Sequence, residues 1–212
     1  MSKDRARVKP VFKPSDYPGK PDEATRKDLE ELFEHMFPGV PEPKPELHFG
    51  YAIFAQNPRL ARAISECADY IVGEMPWTQN RYLRELAVQT LNLHFKCDFS
   101  FQAHLIYGPA NGLAVEKHAA IPYWRTTNIF TEEEKLVIEY TFAVVCGDVP
   151  AELFSRVVKQ YGEKGAIEFT TAIAWWSLWA MLLNATSPEF SPQRSRPLPR
   201  DARELAGTEH KG

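Results

Sequence analysis

Apolar residues recur at helical spacing along most of this chain. Within 22–37, Leu29, Leu32, Phe33 and Met36 form an apolar stripe with acidic residues between them, which predicts a helix with one buried face. No stretch shows a sustained alternation of apolar and polar residues, which is the pattern typical of a strand. The sequence therefore predicts an all-α fold, a compact multi-helix bundle of about eight helices.

Caps and chain breaks indicate where these helices begin and end. Asn57 is a typical N-cap with Pro58 at the first helical position, and Thr131 with Glu134 forms a capping box. Glycine and proline interrupt the pattern elsewhere. The predicted helices cover 22–37, 58 to the break at 73–76, about 78 onward, 97–107, 115–121, 131 to the break at 147, 150–161 and 166–186.

The two ends of the chain differ in composition from its middle. Residues 1–21 are basic and interrupted by prolines, which predicts an extended or disordered N-terminal arm. Residues 187–212 combine prolines with mixed charges, which predicts a disordered or draped C-terminal tail. The sequence thus predicts a single helical domain over 22–186, flanked by an arm and a tail.

Composition narrows the class of protein. The chain has 212 residues, of which 44% are apolar, enough for one domain with a sizeable core. Its net charge of −3 gives no reason to expect nucleic acid or an anionic membrane as a partner. Three cysteines without a disulfide-framework spacing favour a reducing compartment. The start of the chain does not resemble a secretory signal, and the apolar run 173–183 is short for a membrane span, so we predict a cytoplasmic protein.

The segment 85–104 contains the most suggestive chemistry. Cys97, Ser100 and His104 stand at i, i+3 and i+7, so they share one face of a helix. Glu85 lies twelve residues before Cys97, a gap that fits a preceding helix turning back onto that face. A carboxylate can fix the tautomer of an imidazole, which can then accept or donate a proton. The segment therefore predicts a proton relay, although a lone cysteine or histidine more often has a packing role.

Several short motifs in this order resemble a known superfamily. They are Leu83-Arg84-Glu85-Leu86-Ala87, then Cys97-x-x-Ser100-x-x-x-His104, then Gly112-Leu113, and a later apolar run over 173–185 that ends in Leu-Asn-Ala. Together they resemble the carboxymuconolactone decarboxylase and alkylhydroperoxidase D superfamily over roughly 57–185. The resemblance implies an alkylhydroperoxidase D-like fold.

The two branches of that superfamily differ in their cysteines. In alkylhydroperoxidase D-like members a Glu precedes Cys-x-x-Cys-x-x-x-His, and Glu85, Cys97 and His104 match this pattern. Ser100 stands where the second cysteine would be. In decarboxylase-like members the cysteines are absent, while a Glu and a His remain at the separation that Glu85 and His104 keep. The chain therefore combines features of both branches.

The resemblance also bears on partners and cofactors. It implies a small-molecule substrate and a homo-oligomer, a trimer in the first place, with a hexamer or a dimer as alternatives. We expect no organic cofactor. Glu85, His94, Cys97 and His104 contain metal-ligating atoms, but a zinc site requires three or four convergent ligands, and we predict no metal here.

Further side chains are expected around the three predicted catalytic residues, Glu85, Cys97 and His104. The loop 122–130 is either a packed loop or a lid or wall of the substrate pocket. An anionic substrate would also require a cation. The predicted pocket or relay residues are Ser100, His94, Tyr107, Trp124 and Arg125, and the candidate cations are Arg81, Arg84, Lys96 and Arg125.

Three functions are compatible with these residues. The favoured one is a lyase-type enzyme in which Glu85 and His104 act as an acid–base pair on a small carboxylated or lactone-type substrate, in a decarboxylation, isomerisation or ring-opening. The second is a peroxidase with Cys97 as a single peroxidatic thiolate, whose pKa would lie below the ~8.5 of free cysteine. It would depend on an external thiol, because Cys67 and Cys146 are expected in apolar helical segments. The third is a non-catalytic helical oligomer or binding module.

Overall fold

A computed structural model describes residues 7–40 and 46–186 of the chain. Within these ranges every regular element is helical and no strand is present. The predicted all-α fold is therefore confirmed. The elements are α1 (Glu23–Met36), α2 (Phe49–Phe54), α3 (Pro58–Gly73), α4 (Pro76–Gln79), α5 (Arg81–Phe95), α6 (Asp98–Tyr107), α7 (Val115–Ala120), α8 (Glu132–Cys146) and α9 (Ala151–Thr186), with short 3-10 turns at Pro14–Asp16, Pro109–Asn111 and Ile121–Tyr123.

The predicted caps are present. The Asn57 side chain accepts a hydrogen bond from the Leu60 amide at 3.1 Å. At the start of α8, the Thr131 hydroxyl accepts from the Glu134 amide at 3.2 Å, and the Glu134 carboxylate accepts from the Thr131 amide at 2.7 Å. Such caps act within one turn of chain, which explains why sequence alone places these ends correctly.

Two elements differ from the prediction. Helix α2 was not predicted, because five of its six residues are buried and it lacks the amphipathic period that marks a surface helix. The helix expected from about 78 is two helices, α4 and α5, separated at Asn80, whose side chain accepts from the Leu83 amide at 3.1 Å. The predicted break between the two helices over 150–186 is present, because α9 is kinked at Gly162, where the backbone has a non-helical φ of 73° and ψ of 170°, a region open to glycine.

The chain divides into two compact units. The first contains the described residues up to Tyr70 together with Thr186. Within it, Val11 and Phe12 of the predicted N-terminal arm are buried. The Val11 amide donates to the Ala52 carbonyl at 2.8 Å, and the Phe12 ring meets the Phe49 ring edge-on at 5.2 Å. Part of the predicted arm is thus packed, while residues 1–6 and the predicted tail 187–212 lie outside the described residues.

The second unit, Ile71–Ala185, is organised around α5. This helix packs against α4, α6 and α8, and nine of its fifteen residues are buried. Nearby, Trp77 stacks on Phe169 with ring centroids 4.0 Å apart, and Tyr140 lies 5.0 Å from the same ring. A helix enclosed on several sides gives its polar side chains fixed positions, and these side chains form the site described below.

Helix α9 combines buried and exposed apolar residues. Trp175 is buried, while Trp176 and Trp179 are partly buried, and Ile167 and Met181 are 62% and 54% exposed. By length and composition, α9 is the one helix in the described ranges that could cross a membrane, but half of its most apolar eighteen residues lie inside the protein. The cytoplasmic location and the homo-oligomer therefore remain predictions.

Candidate functional site

A carboxylate and an imidazole meet where α6 turns back along α5. Lys96 adopts a left-handed conformation with φ 52° and ψ 42°, and the Cys97 amide donates to the Asn92 carbonyl at 2.9 Å. This reversal lays α6 beside α5. As a result, Nδ1 of His104 lies 2.9 Å from Oε1 and 3.1 Å from Oε2 of Glu85.

The two side chains differ in exposure. Glu85 is 2% exposed and His104 is 21% exposed, and Asn111 Nδ2 approaches Glu85 Oε2 at 3.4 Å. An ionised carboxylate only accepts hydrogen bonds, so it holds the His104 proton on Nδ1. The imidazole is thereby fixed in orientation and tautomer, which leaves Nε2 as the nitrogen suited to exchange a proton with a substrate.

Cys97 occupies a different environment from the one the peroxidase hypothesis requires. It is the N-cap of α6, with φ −87° and ψ 82°, and therefore precedes the helix that carries Ser100 and His104. The side chain is 1% exposed, and burial raises the pKa of its thiol, although a hydrogen bond from the Ser100 backbone acts in the opposite direction. The structure therefore disfavours the thiolate, opposite to the lowered pKa expected of a peroxidatic cysteine.

The other predicted site residues lie in several places. Ser100 is buried on α6. His94 is exposed near the end of α5, with Nδ1 3.9 Å from Sγ of Cys146. Trp124 is buried, and the Arg125 guanidinium lies 4.4 Å from its ring centroid, so this part of the predicted lid is packed. The side chain of Tyr107 lies outside the described part of the structure.

The remaining cysteines differ from expectation. Cys67 and Cys146 were expected in apolar segments, but both are exposed on their helices. Cys67 lies within α3 and Cys146 is the last residue of α8, and exposure at these positions depends on which helix face the neighbouring elements cover. Their exposure makes them suitable references for the reactivity of Cys97.

A buried polar network behind the carboxylate was not predicted. Gln89 Nε2 lies 3.0 Å from His118 Nδ1 and donates to the Phe101 carbonyl at 3.2 Å, and Asn92 Nδ2 donates to Gln89 Oε1 at 3.1 Å. Burial lowers the pKa of His118, while the charge of Glu85 acts in the opposite direction. The sequence feature that could have predicted this network is the spacing of Glu85, Gln89 and Asn92, which places three polar side chains on one face of a buried helix.

A second unpredicted cluster joins α5, α7 and α8. Lys117 Nζ donates to Glu134 Oε1 at 2.6 Å and to Tyr82 Oη at 2.9 Å, and the Tyr82 hydroxyl donates to the same carboxylate oxygen. Burial alone would raise the pKa of Glu134, but these hydrogen bonds hold it below its ordinary value. Because Lys117 is already paired with a buried carboxylate, the cluster connects helices around the site rather than offering a spare cation.

Among the described residues, no group of three or more His, Cys, Asp or Glu side chains is placed to hold a metal ion. The polar groups around Glu85 instead form hydrogen bonds with one another.

Comparison with known proteins supports the fold. No protein-family model and no curated protein matches this sequence. Among solved structures, the chain is similar to a cysteine-to-alanine variant of the debrominase Bmp8 in complex with 2,3,4-tribromopyrrole, with a TM-score of 0.57 and 18% identity over 92% of this chain and 96% of that one. At this identity the likeness establishes the architecture, an all-helical, alkylhydroperoxidase D-like fold.

Proposed function

We propose that this protein is a carboxymuconolactone decarboxylase-like enzyme in which His104 transfers a proton to or from a small carboxylated or lactone-type substrate. The observation that carries the proposal is the hydrogen bond from His104 Nδ1 to the buried Glu85 carboxylate at 2.9 Å. It holds the imidazole in a fixed orientation beside a buried carboxylate.

The chemistry can be followed as a decarboxylation. The bond between the substrate carbon and its carboxylate breaks, carbon dioxide leaves, and the electron pair stays on the carbon. His104 Nε2 then donates its proton to that carbon, and the neutral imidazole recovers a proton from water. Isomerisation or lactone opening would use the same imidazole, first as a base and then as an acid.

Two independent features support membership of the superfamily. The sequence keeps a Glu and a His at the separation seen in decarboxylase-like members, and the fold is shared with an enzyme that binds a small ring compound. Both are compatible with a small ring-shaped substrate. The substrate class itself comes from the resemblance and from the acid–base chemistry.

A turnover assay tests this proposal. The protein is incubated with a panel of carboxylated lactones, and carbon dioxide release and lactone loss are followed. We expect His104→Gln to lower turnover by about 100-fold or more, the usual contribution of a positioned acid or base. His94→Gln is the matched control, because His94, although predicted as a pocket or relay residue, is exposed and lies nine residues beyond Glu85 on α5, about 13 Å along the helix axis. Equal turnover by His104→Gln and the parent protein would overturn the proposal.

Thiol chemistry at Cys97 is the second candidate. The hydrogen bond from the Ser100 backbone to the Cys97 sulfur favours the thiolate, and the Bmp8 structure to which this fold is similar is a cysteine-to-alanine variant of an enzyme. A thiolate would attack the peroxide O–O bond, forming a sulfenic acid and releasing water or an alcohol, and an external thiol would then reduce the sulfenic acid. Burial of Cys97 opposes this chemistry, so we rank it second.

A further inference from the structure

The orientation of His118 is determined by its neighbours. Gln89 directs its Nε2 towards both His118 Nδ1 and the Phe101 carbonyl, while its Oε1 accepts from Asn92. The carbonyl can only accept, so the amide nitrogen of Gln89 must face it and must therefore donate to Nδ1. A neutral imidazole with an accepting Nδ1 carries its proton on Nε2.

The opposite edge of the same ring packs against Gly108. A Cβ atom built on Gly108 would collide with Nε2 of His118 and lie 2.7 Å from its Cε1. Gly108 has φ −52° and ψ −50°, a helical conformation that any residue can adopt. The glycine is therefore needed for space, because the ring of His118 occupies the volume where a side chain would stand.

Gly108 is also the residue at which α6 ends. Its amide donates to the His104 carbonyl at 2.8 Å. Two sets of contacts therefore connect α5 with the C-terminal end of α6. Glu85 binds His104 directly, and Gln89, one turn further along α5, holds the His118 ring that packs on Gly108.

We propose that His118 is a positioning residue, held by Gln89 in its Nε2-protonated neutral form, whose contact with Gly108 sets His104 against Glu85. The proposal rests on the proposed role of His104. His118 does not touch the reacting atoms.

The charges around His118 agree with this role. The ring is 2% exposed, and the titratable groups that act on it electrostatically are Glu85 and His104. A neutral His118 does not compete with His104 for the interaction with the Glu85 carboxylate. A protonated His118 would compete for that charge and would place a second cation near the working imidazole.

Side-chain NMR of the full chain, labelled with ¹⁵N-histidine, tests the proposal without a substrate. We expect the parent protein to show His118 protonated on Nε2 and His104 protonated on Nδ1. Gly108→Ala should shift or remove the His104 Nδ1–H signal, because the new methyl displaces the ring. Gly73→Ala is the control, since a Cβ on Gly73 meets nothing within 4 Å, and it should leave both signals unchanged.

Gln89→Met provides a second variant should Gly108→Ala fail to fold. It removes the hydrogen bond to Nδ1 while keeping a side chain of similar length, and we expect loss of the single His118 tautomer together with a shifted His104 signal. A His118 proton on Nδ1 in the parent protein, or unchanged His104 signals in either folded variant, would overturn the proposal. The turnover of His104→Gln tests the proposed function separately, so the two failures can be distinguished.

Discussion

The first prediction concerns Glu134, whose hydrogen bonds connect the helices around the proposed site. Its carboxylate accepts hydrogen bonds from Lys117 and Tyr82 and from the Thr131 amide, and it is buried at the start of α8. Tyr82 lies one turn before Glu85 on α5, and Lys117 directly precedes His118. Replacing Glu134 by glutamine therefore loosens both elements behind the proposed acid–base pair while nearly preserving side-chain volume.

The expected cost follows from these bonds. A hydrogen bond to a charged group contributes about 1.5–3 kcal/mol, against about 0.5–1.5 kcal/mol for a neutral pair. The bond from Tyr82 loses this charge assistance, and Lys117 loses its ion pair with the carboxylate. A glutamine also has one acceptor oxygen in place of two, so one donor is left facing an NH₂ group. We expect Glu134→Gln to lower the free energy of unfolding by about 3 kcal/mol, a large share of the stability of a typical domain.

Urea denaturation at neutral pH measures this difference. The matched control is Glu132→Gln, in the same first turn of α8, whose carboxylate is exposed and binds only Lys135 among the described residues. We expect no measurable change for the control, because exposed pairs contribute little. Equal stability of Glu134→Gln and the parent protein would refute the claim that the hydrogen bonds of Glu134 with Lys117 and Tyr82 stabilise the helices around the site.

The pH dependence of the free energy of unfolding provides a second test of Glu134→Gln. The pKa of Glu134 is held below its ordinary value of 4.5, so its stabilisation is fully present above that value and is lost as the pH falls through the folded-state pKa. The parent protein should therefore lose more stability on acidification than Glu134→Gln does. Parallel stability curves for the two proteins in acid would contradict the assigned pKa shift.

Three further outcomes are expected. A variant that keeps Cys97 as its only cysteine should react with iodoacetamide far more slowly than a variant that keeps only Cys67, because burial raises the pKa of the Cys97 thiol. Equal reaction rates, together with a Cys97 pKa below that of free cysteine, would favour the peroxidase hypothesis. Glu85→Gln should lower turnover about tenfold, the equivalent of about 1.4 kcal/mol in lost charge assistance, and an unchanged kcat would exclude Glu85 from the relay. If the predicted homo-oligomer uses the face of α9 that exposes Ile167 and Met181, replacing both residues by Glu should reduce the mass measured by light scattering to that of one chain. An unchanged oligomer would place its interface elsewhere.

Local patterns explain what the sequence could predict. The apolar stripe of α1 and the caps at Asn57 and Thr131 involve residues within about one or two turns of each other, and such signals are visible in sequence. The pairing of Glu85 with His104 depended on recognising a motif. Its geometry then required the chain reversal at Lys96, a non-glycine residue in a left-handed conformation, which no local signal marked.

Long-range contacts explain what the sequence could not predict. His118 lies 29 positions from Gln89, and Glu134 lies 52 positions from Tyr82. Neither pair forms a recognisable motif, and both depend on how α7 and α8 pack on α5. The burial of Cys97, which raises the pKa of its thiol, was likewise not predicted from the sequence.

The central claim is that His104, fixed by Glu85, transfers a proton to a substrate carbon. Turnover of a carboxylated lactone in deuterium oxide tests it most directly, with mass spectrometry of the product formed by the parent protein, His104→Gln and His94→Gln. The account predicts one deuterium at the carbon that loses carbon dioxide, formed at similar rates by the parent protein and His94→Gln and at least about 100-fold more slowly by His104→Gln. Deuterated product formed by His104→Gln at the parent rate would show that another group supplies the proton.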